Sequence, residues 1–284
     1  MTQRSLQRAY LHCKTVAADH YENFPVASRL LPARLRRPIS VIYSFARRAD
    51  DWADEGNYTA AERLQALNLM AQALTTRECD DNLFIALYST IDQFALPLEP
   101  FFDLIAAFRQ DVTMSRYPNQ EALLNYCRLS ANPIGRLLLH LNQSSHEVNI
   151  AASDALCTAL QLINFHQDIG EDYHQRGRIY LPESELLKWQ VDEAVFAERQ
   201  NHPGLCQLLD AQLDYIESLL TQAAVLVPRL KGRFGVEMGL IEGAAWRLVK
   251  KLRQQPHPFS RPRLRRHELL PILAGTLWRR FIPR

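Results

Sequence analysis

Tyr43-Ser-Phe-Ala-Arg47-Arg-Ala-Asp50-Asp51-Trp-Ala-Asp54 is the stretch that decides the fold. Tyr43, Arg47, Asp50 and Asp54 fall at spacings of four, three and four, which places all of them on one face of an α-helix. A second stripe answers it, with Gln161, Asn164, Asp168 and Asp172 at spacings of three, four and four. Each stripe therefore ends in two carboxylates one turn apart on the same side. Like charges so placed cost a free helix about 0.2–0.5 kcal/mol. These also sit among apolar neighbours: Val41, Ile42 and Phe45 around the first, Leu162, Ile163 and Phe165 within the second. Something positive is expected to offset them, and each pair is a seat for a hard cation.

The rest of the chain agrees with a helical reading. It has 284 residues, of which 47% are hydrophobic and 23% charged, enough to bury a large core. Only 10 glycines occur, no Asn-Gly or Asp-Gly turn signal is present, and good helix formers recur throughout. An all-α, single-domain helical bundle over residues 1–284 is expected, with a basic tail from about 259. Proline-containing breaks divide it into helices over about 2–21, from Pro38 to Asp54, from Ala60 to Leu74 with Thr59 as N-cap, and near 82–95. Further helices are expected from Pro100 past Asp111, over 119–143 with a kink at Pro133, and from Asp154 to Tyr173. Pro182, Pro203 and Pro228 punctuate the remainder.

Several function classes fall away. The net charge of +2 favours no polyanion, and the arginines around the first stripe are interleaved with carboxylates, so nucleic acid is not an expected partner. Five widely spaced cysteines with no Cys-x-x-Cys suggest neither a disulfide frame nor zinc, and read as reduced core thiols of a cytosolic protein. The N-terminus lacks an apolar leader, and no run approaches the length of a membrane span, so the chain is read as neither secreted nor transmembrane. A di-iron bundle needs two Glu-x-x-His pairs, and only Glu171 with His174 matches. No nucleotide-binding glycine loop occurs. Paired carboxylates holding Mg²⁺ would instead bind a diphosphate through the metal, because Mg²⁺ prefers oxygen ligands and shares them with phosphates. Arg47 and Arg178 can take further phosphate oxygens.

The segment from Tyr43 to Glu55 resembles the first aspartate-rich motif of the squalene and phytoene synthases. The run Gln161-Leu-Ile-Asn164-Phe-His-Gln167-Asp168-Ile-Gly-Glu-Asp172, followed by Gly177-Arg178-Ile-Tyr180-Leu-Pro182, resembles the second, and Tyr126 to Gly135 occupies the place of the family's tyrosine-bearing helix. The resemblance implies an isoprenoid-synthase bundle with a central cavity. It implies that Asp50, Asp54, Asn164, Asp168 and Asp172 ligate Mg²⁺, with Asp51 behind them. Tyr43, Arg47 and Gln161 would touch the diphosphate or its metals, and Tyr126 would face the reacting carbons. His20 and Asn23 match the start of the substrate-binding segment.

Within the family, the stretches His20–Ser28, Ala49–Gly56 and Ser130–Arg136 point to the bacterial hopanoid and squalene branch. That branch ionises presqualene diphosphate and lets water capture the rearranged cation, giving hydroxysqualene without NADPH. Condensation of two farnesyl diphosphates to presqualene diphosphate, squalene or phytoene is the neighbouring alternative. A non-catalytic helical partner of a hopanoid-pathway enzyme is the alternative from another class. Gln167 and Glu22 stand where relatives carry cations, which suits a substrate with one diphosphate rather than two. Phe24, Phe45 and Phe165 could line a hydrocarbon pocket or simply pack. The tail around Leu264 to Phe281, with Trp278, is either a solvated basic terminus or a contact for the anionic inner membrane surface, where pathway enzymes could also meet it.

Overall fold

The computed structural model describes residues 3–19 and 31–281, and every regular element in them is a helix. The one β contact among the described residues is an isolated bridge between Tyr117 and Pro182. The all-α expectation holds. By packing, the chain divides into two compact units, Met1–Thr113 with Pro133–Ile150, and Met114–Asn132 with Ala151–Arg284.

In the first unit, α1 (Gln3–Asp19) packs on α2 (Ala33–Asp54), which also meets α3 (Ala60–Thr76), α4 (Asn82–Phe94) and α5 (Glu99–Thr113). Ser44 Oγ ties α2 to α1 by donating to the Cys13 carbonyl at 3.1 Å. The helix begins at Ala33, earlier than the expected Pro38. A proline there removes one backbone donor near the start of the helix, and the buried Leu35 and Ile39 hold the added turn in place. Phe45 is wholly buried edge-to-face between Phe84 (6.3 Å) and Phe101 (5.2 Å), so it packs rather than lines a pocket. Thr59 does cap α3, in a capping box with Glu62: Glu62 N–H donates to Thr59 Oγ1 at 3.3 Å, and Thr59 N–H to Glu62 Oε2 at 2.8 Å.

The expected kink at Pro133 is a full break. The helix α6 (Gln120–Ser130) ends at Ala131, and α7 (Asn132–Leu141) starts afresh, because Pro133 has no N–H to carry the ladder on. The helix bearing the second stripe also differs from expectation. It starts at Glu147 rather than Asp154 and is interrupted at Asp168 (φ −103°, ψ 10°), giving α8 (Glu147–Gln167) and α9 (Ile169–Arg176). The bonds along the stripe persist across the break, Asp168 N–H to Asn164 O at 2.9 Å and Asp172 N–H to Asp168 O at 2.8 Å. Among the described residues α8 is the one helix long and apolar enough by composition to cross a membrane, and more than half of that window is buried in the protein.

Beyond Gly177, which ends α9 in the left-handed conformation (φ 64°), come α10 (Glu183–Lys188), α11 (Glu193–Ala197), α12 (Pro203–Ala223), α13 (Leu226–Arg229), α14 (Gly232–Arg253) and α15 (Arg266–Phe281). In the second unit α14 packs against α12, α13 and α15. The stretch expected as a basic tail is thus a helix seated on α14 over most of its length. None of the five cysteines is in a disulfide. Cys13 and Cys127 are core thiols as expected, pushed by burial up to about 11 and about 12, whereas Cys79, Cys157 and Cys206 are only half-buried.

Candidate active site

The first stripe lies on the last three turns of α2, with Tyr43, Arg47, Asp50 and Asp54 all half-buried. Arg47 is the positive charge that the carboxylates require. Its Nη1 donates to Asp50 Oδ2 at 3.1 Å and its Nη2 to Glu55 Oε1 at 2.7 Å, and Nη2 also stands 2.7 Å from Asp51 Oδ1 without hydrogen-bond alignment. Desolvation works against the charge on Arg47, but Asp50, Asp51 and Glu55 outweigh it and raise the guanidinium above its ordinary value.

The loop that follows is held from α3. Arg63 Nη1 donates to the carbonyls of Trp52 (3.1 Å) and Glu55 (3.0 Å), Nη2 to that of Gly56 (2.9 Å) and Nε to that of Tyr58 (3.3 Å). One side chain thereby collects carbonyls that the helix end leaves without N–H partners. Gly56 has φ +76°, and a Cβ there would meet the Tyr58 ring at 2.6 Å, so both backbone and packing demand glycine.

In the second unit, Gln161 and Asn164 are half-buried on α8, Asp168 sits at the break and Asp172 in the first turn of α9. Arg178 is buried, and its backbone N–H donates to the Asp172 carbonyl at 3.1 Å. Asp168 is met by Arg261, whose Nη2 donates to Oδ2 at 2.8 Å while Nε lies in ion-pair contact with Oδ1 without hydrogen-bond geometry. Gln167 Nε2 donates to the neighbouring Pro262 carbonyl at 2.5 Å. Positive charge missing at position 167 is therefore supplied from 261, on a segment that Gln167 itself anchors, which revises the expectation that this spot is poor in cations. Sequence reading saw Arg261 only as part of a basic stretch; the pair is separated by 93 positions, and no local signal links them.

Asp168 Oδ1 and Glu171 Oε2 are shut off from water and accept no hydrogen bond. Asp168 Oδ1 has only its ion pair with Arg261, Glu171 Oε2 has no hydrogen bond, and hard carboxylate oxygens so placed suit Mg²⁺. Among the described residues no three His, Cys, Asp or Glu side chains gather as a metal cluster, so a cation at either aspartate pair would need further oxygens, such as those of a phosphate or water. His174 is exposed, unlike the inward-facing histidine of a di-iron bundle.

Tyr126 is buried in a nest of aromatic rings. Phe165 stacks on Tyr180 (3.9 Å, 3°), Tyr126 lies 5.8 Å from Tyr180 and 6.1 Å from Phe165, and Tyr117 closes the group 5.4 Å from Tyr126. Backbone bonds bring the contributors together: Ile179 N–H donates to Ser115 O (3.1 Å) and Glu183 N–H to Tyr117 O (2.8 Å), while Arg116 binds the Gly177 carbonyl. Tyr117 was not foreseen, though its place before Pro118 marked a helix end. The expected His20 and Asn23, with Glu22 and Phe24, lie outside the described residues.

The squalene/phytoene synthase family profile matches residues 17–269. The chain belongs to that family. It is accordingly an enzyme of prenyl-diphosphate chemistry. Similar proteins include the hydroxysqualene synthase of Rhodopseudomonas palustris, 33% identical over 90% of this chain and 88% of that one. The hydroxysqualene synthase of Zymomonas mobilis is 35% identical over 81% and 78%. A squalene synthase crystal structure from Alicyclobacillus acidocaldarius matches with a TM-score of 0.82 and 30% identity, over 91% of this chain and 97% of that one. The isoprenoid-synthase fold expected for the family member is thereby shown.

Proposed function

We propose that this protein is a hydroxysqualene synthase, converting presqualene diphosphate and water to hydroxysqualene and diphosphate. The observation that carries this is the similarity to proteins of that name over about nine-tenths of the chain. Asp50 and Asp54, and likewise Asn164, Asp168 and Asp172, would hold Mg²⁺, which would supply Lewis-acid charge to the departing diphosphate. Arg47, Arg178 and Arg261 add guanidinium charge, and Tyr43 and Gln161 hydrogen-bond diphosphate oxygens. The carbon–oxygen bond to diphosphate breaks, the rings of Tyr126, Tyr180 and Phe165 stabilise the cation, and one water adds to it with loss of a proton. The buried faces of that nest exclude other water, and no step calls for NADPH. Five unbridged cysteines suit a reducing cytoplasm.

The test incubates purified protein and Mg²⁺ with presqualene diphosphate or farnesyl diphosphate, without NADPH, and reads the extract by mass spectrometry. Hydroxysqualene from presqualene diphosphate, lost in Asp50→Ala and Asp168→Ala, is expected. Consumption of farnesyl diphosphate instead would move the protein to the condensing branch.

A further inference from the structure

The helix α15 is seated in a fixed orientation. A Cβ at Gly239 would meet Thr276 Cγ2 at 2.3 Å, and one at Gly243 would meet Ile272 Cγ2 at 2.6 Å, so two glycines one turn apart on α14 let this face of α15 approach closely. The same face buries Glu268, which takes Arg247 Nε and Lys251 Nζ, each at 2.7 Å, and the Arg265 N–H, also at 2.7 Å. With that side committed, the opposite side must face outward, and its composition is inverted for a solvent-facing helix. Leu270, Pro271, Ala274, Leu277 and Trp278 follow one another at one, four, seven and eight residues from Leu270, a single stripe over more than two turns. Leu270 is 71% exposed and Trp278 69% exposed.

The charge around the stripe has one sign. Residues 261–284 hold seven arginines and one carboxylate side chain, Glu268, which is buried and already paired. Arg263 and Arg265 are exposed just before the helix, and Arg279 and Arg280 follow the stripe in sequence. A second copy docked on this face would set arginines against arginines. An anionic bilayer satisfies both features, taking the Leu and Trp side chains into its headgroup boundary and the arginines at its phosphates.

We propose that α15 is a membrane-surface docking helix that lies flat on anionic lipid through Leu270, Ala274, Leu277 and Trp278. This docking is separate from the reaction proposed above, and its failure would leave that reaction untouched. The test uses the full chain with phosphatidylglycerol–phosphatidylcholine vesicles and with pure phosphatidylcholine vesicles, read by flotation. Binding to the anionic vesicles that weakens with salt is expected. Leu270→Glu with Trp278→Glu should lower the vesicle partition coefficient by at least about tenfold, and Arg263→Gln or Arg265→Gln by roughly fivefold each at low salt. Brominated lipid should quench tryptophan emission in the native chain and much less in Trp278→Phe. Unchanged circular dichroism and Tm in the glutamate variant would show that it folds. No binding to anionic vesicles, or equal binding by native chain and folded glutamate variant, would overturn the proposal. So would self-association on sedimentation that the glutamate variant abolishes while vesicles bind neither protein.

Discussion

Replacing Arg63 by Ala should loosen the end of the first aspartate motif. From α3, Arg63 donates to the carbonyls of Trp52, Glu55, Gly56 and Tyr58. A net value of about 0.5–1 kcal/mol for each of the four partly exposed bonds gives about 2–4 kcal/mol lost. For a chain of this size that corresponds to a fall in Tm of roughly 3–7 °C, measured by circular dichroism. Arg63→Lys should recover little of it, since an ammonium cannot span four carbonyls as a planar fork does. Deuterium exchange provides the local reading, with amides over residues 52–58 exchanging faster in Arg63→Ala while those of α14 stay unchanged. A Tm within about 1 °C of the native chain, together with unaltered exchange over 52–58, would refute the reasoning.

Gly56→Ala should lower Tm as well, since it meets both the left-handed φ and the Tyr58 ring; a loss of about 1–3 kcal/mol is expected in urea unfolding. Glu268 gives a pH signature. Burial works against its charge, but Lys251, the Arg265 N–H and Arg247 hold it down to about 2, below its ordinary 4.5. On acidification the unfolded chain takes up that proton first, so the stabilisation is complete above pH 4.5 and disappears between 4.5 and 2. Urea midpoints against pH should be flatter over that window in Glu268→Gln. Tyr126→Phe should keep turnover near native because the ring is retained, whereas Tyr126→Leu should cut it about tenfold or more, as measured by diphosphate release.

What could be read without coordinates was whatever announces itself locally. Thr59 and Glu62 stand at the spacing of a capping box, and the cap is there. The face shared by Tyr43, Arg47, Asp50 and Asp54 follows from period alone. Asp168 shows where such reading stops, since its i, i+4 relation to Asp172 holds while the helix breaks at that residue. Pro133 signalled a disturbance, but whether it kinks or ends a helix depends on what the next segment packs against. Arg261 on Asp168, and Tyr117 beside Tyr126 and Tyr180, are products of tertiary packing between distant stretches. The orientation of α15 likewise rests on Gly239 and Gly243, which carry no signal until their partner helix is placed.

The lacing of residues 115–118 to 177–184 has a consequence for the order in which this protein folds. Arg116 and Gly177 are 61 residues apart in sequence, and bringing such ends together costs about 4 kcal/mol of chain entropy before any contact repays it. The helices α6, α8 and α9 can form from local contacts, but Tyr117, Tyr126 and Tyr180 meet only once that loop closes. The aromatic nest should therefore be a late assembly. Substitutions at Ile179 or Tyr180 should speed unfolding more than they slow folding, with low φ-values there and higher ones within α12 and α14.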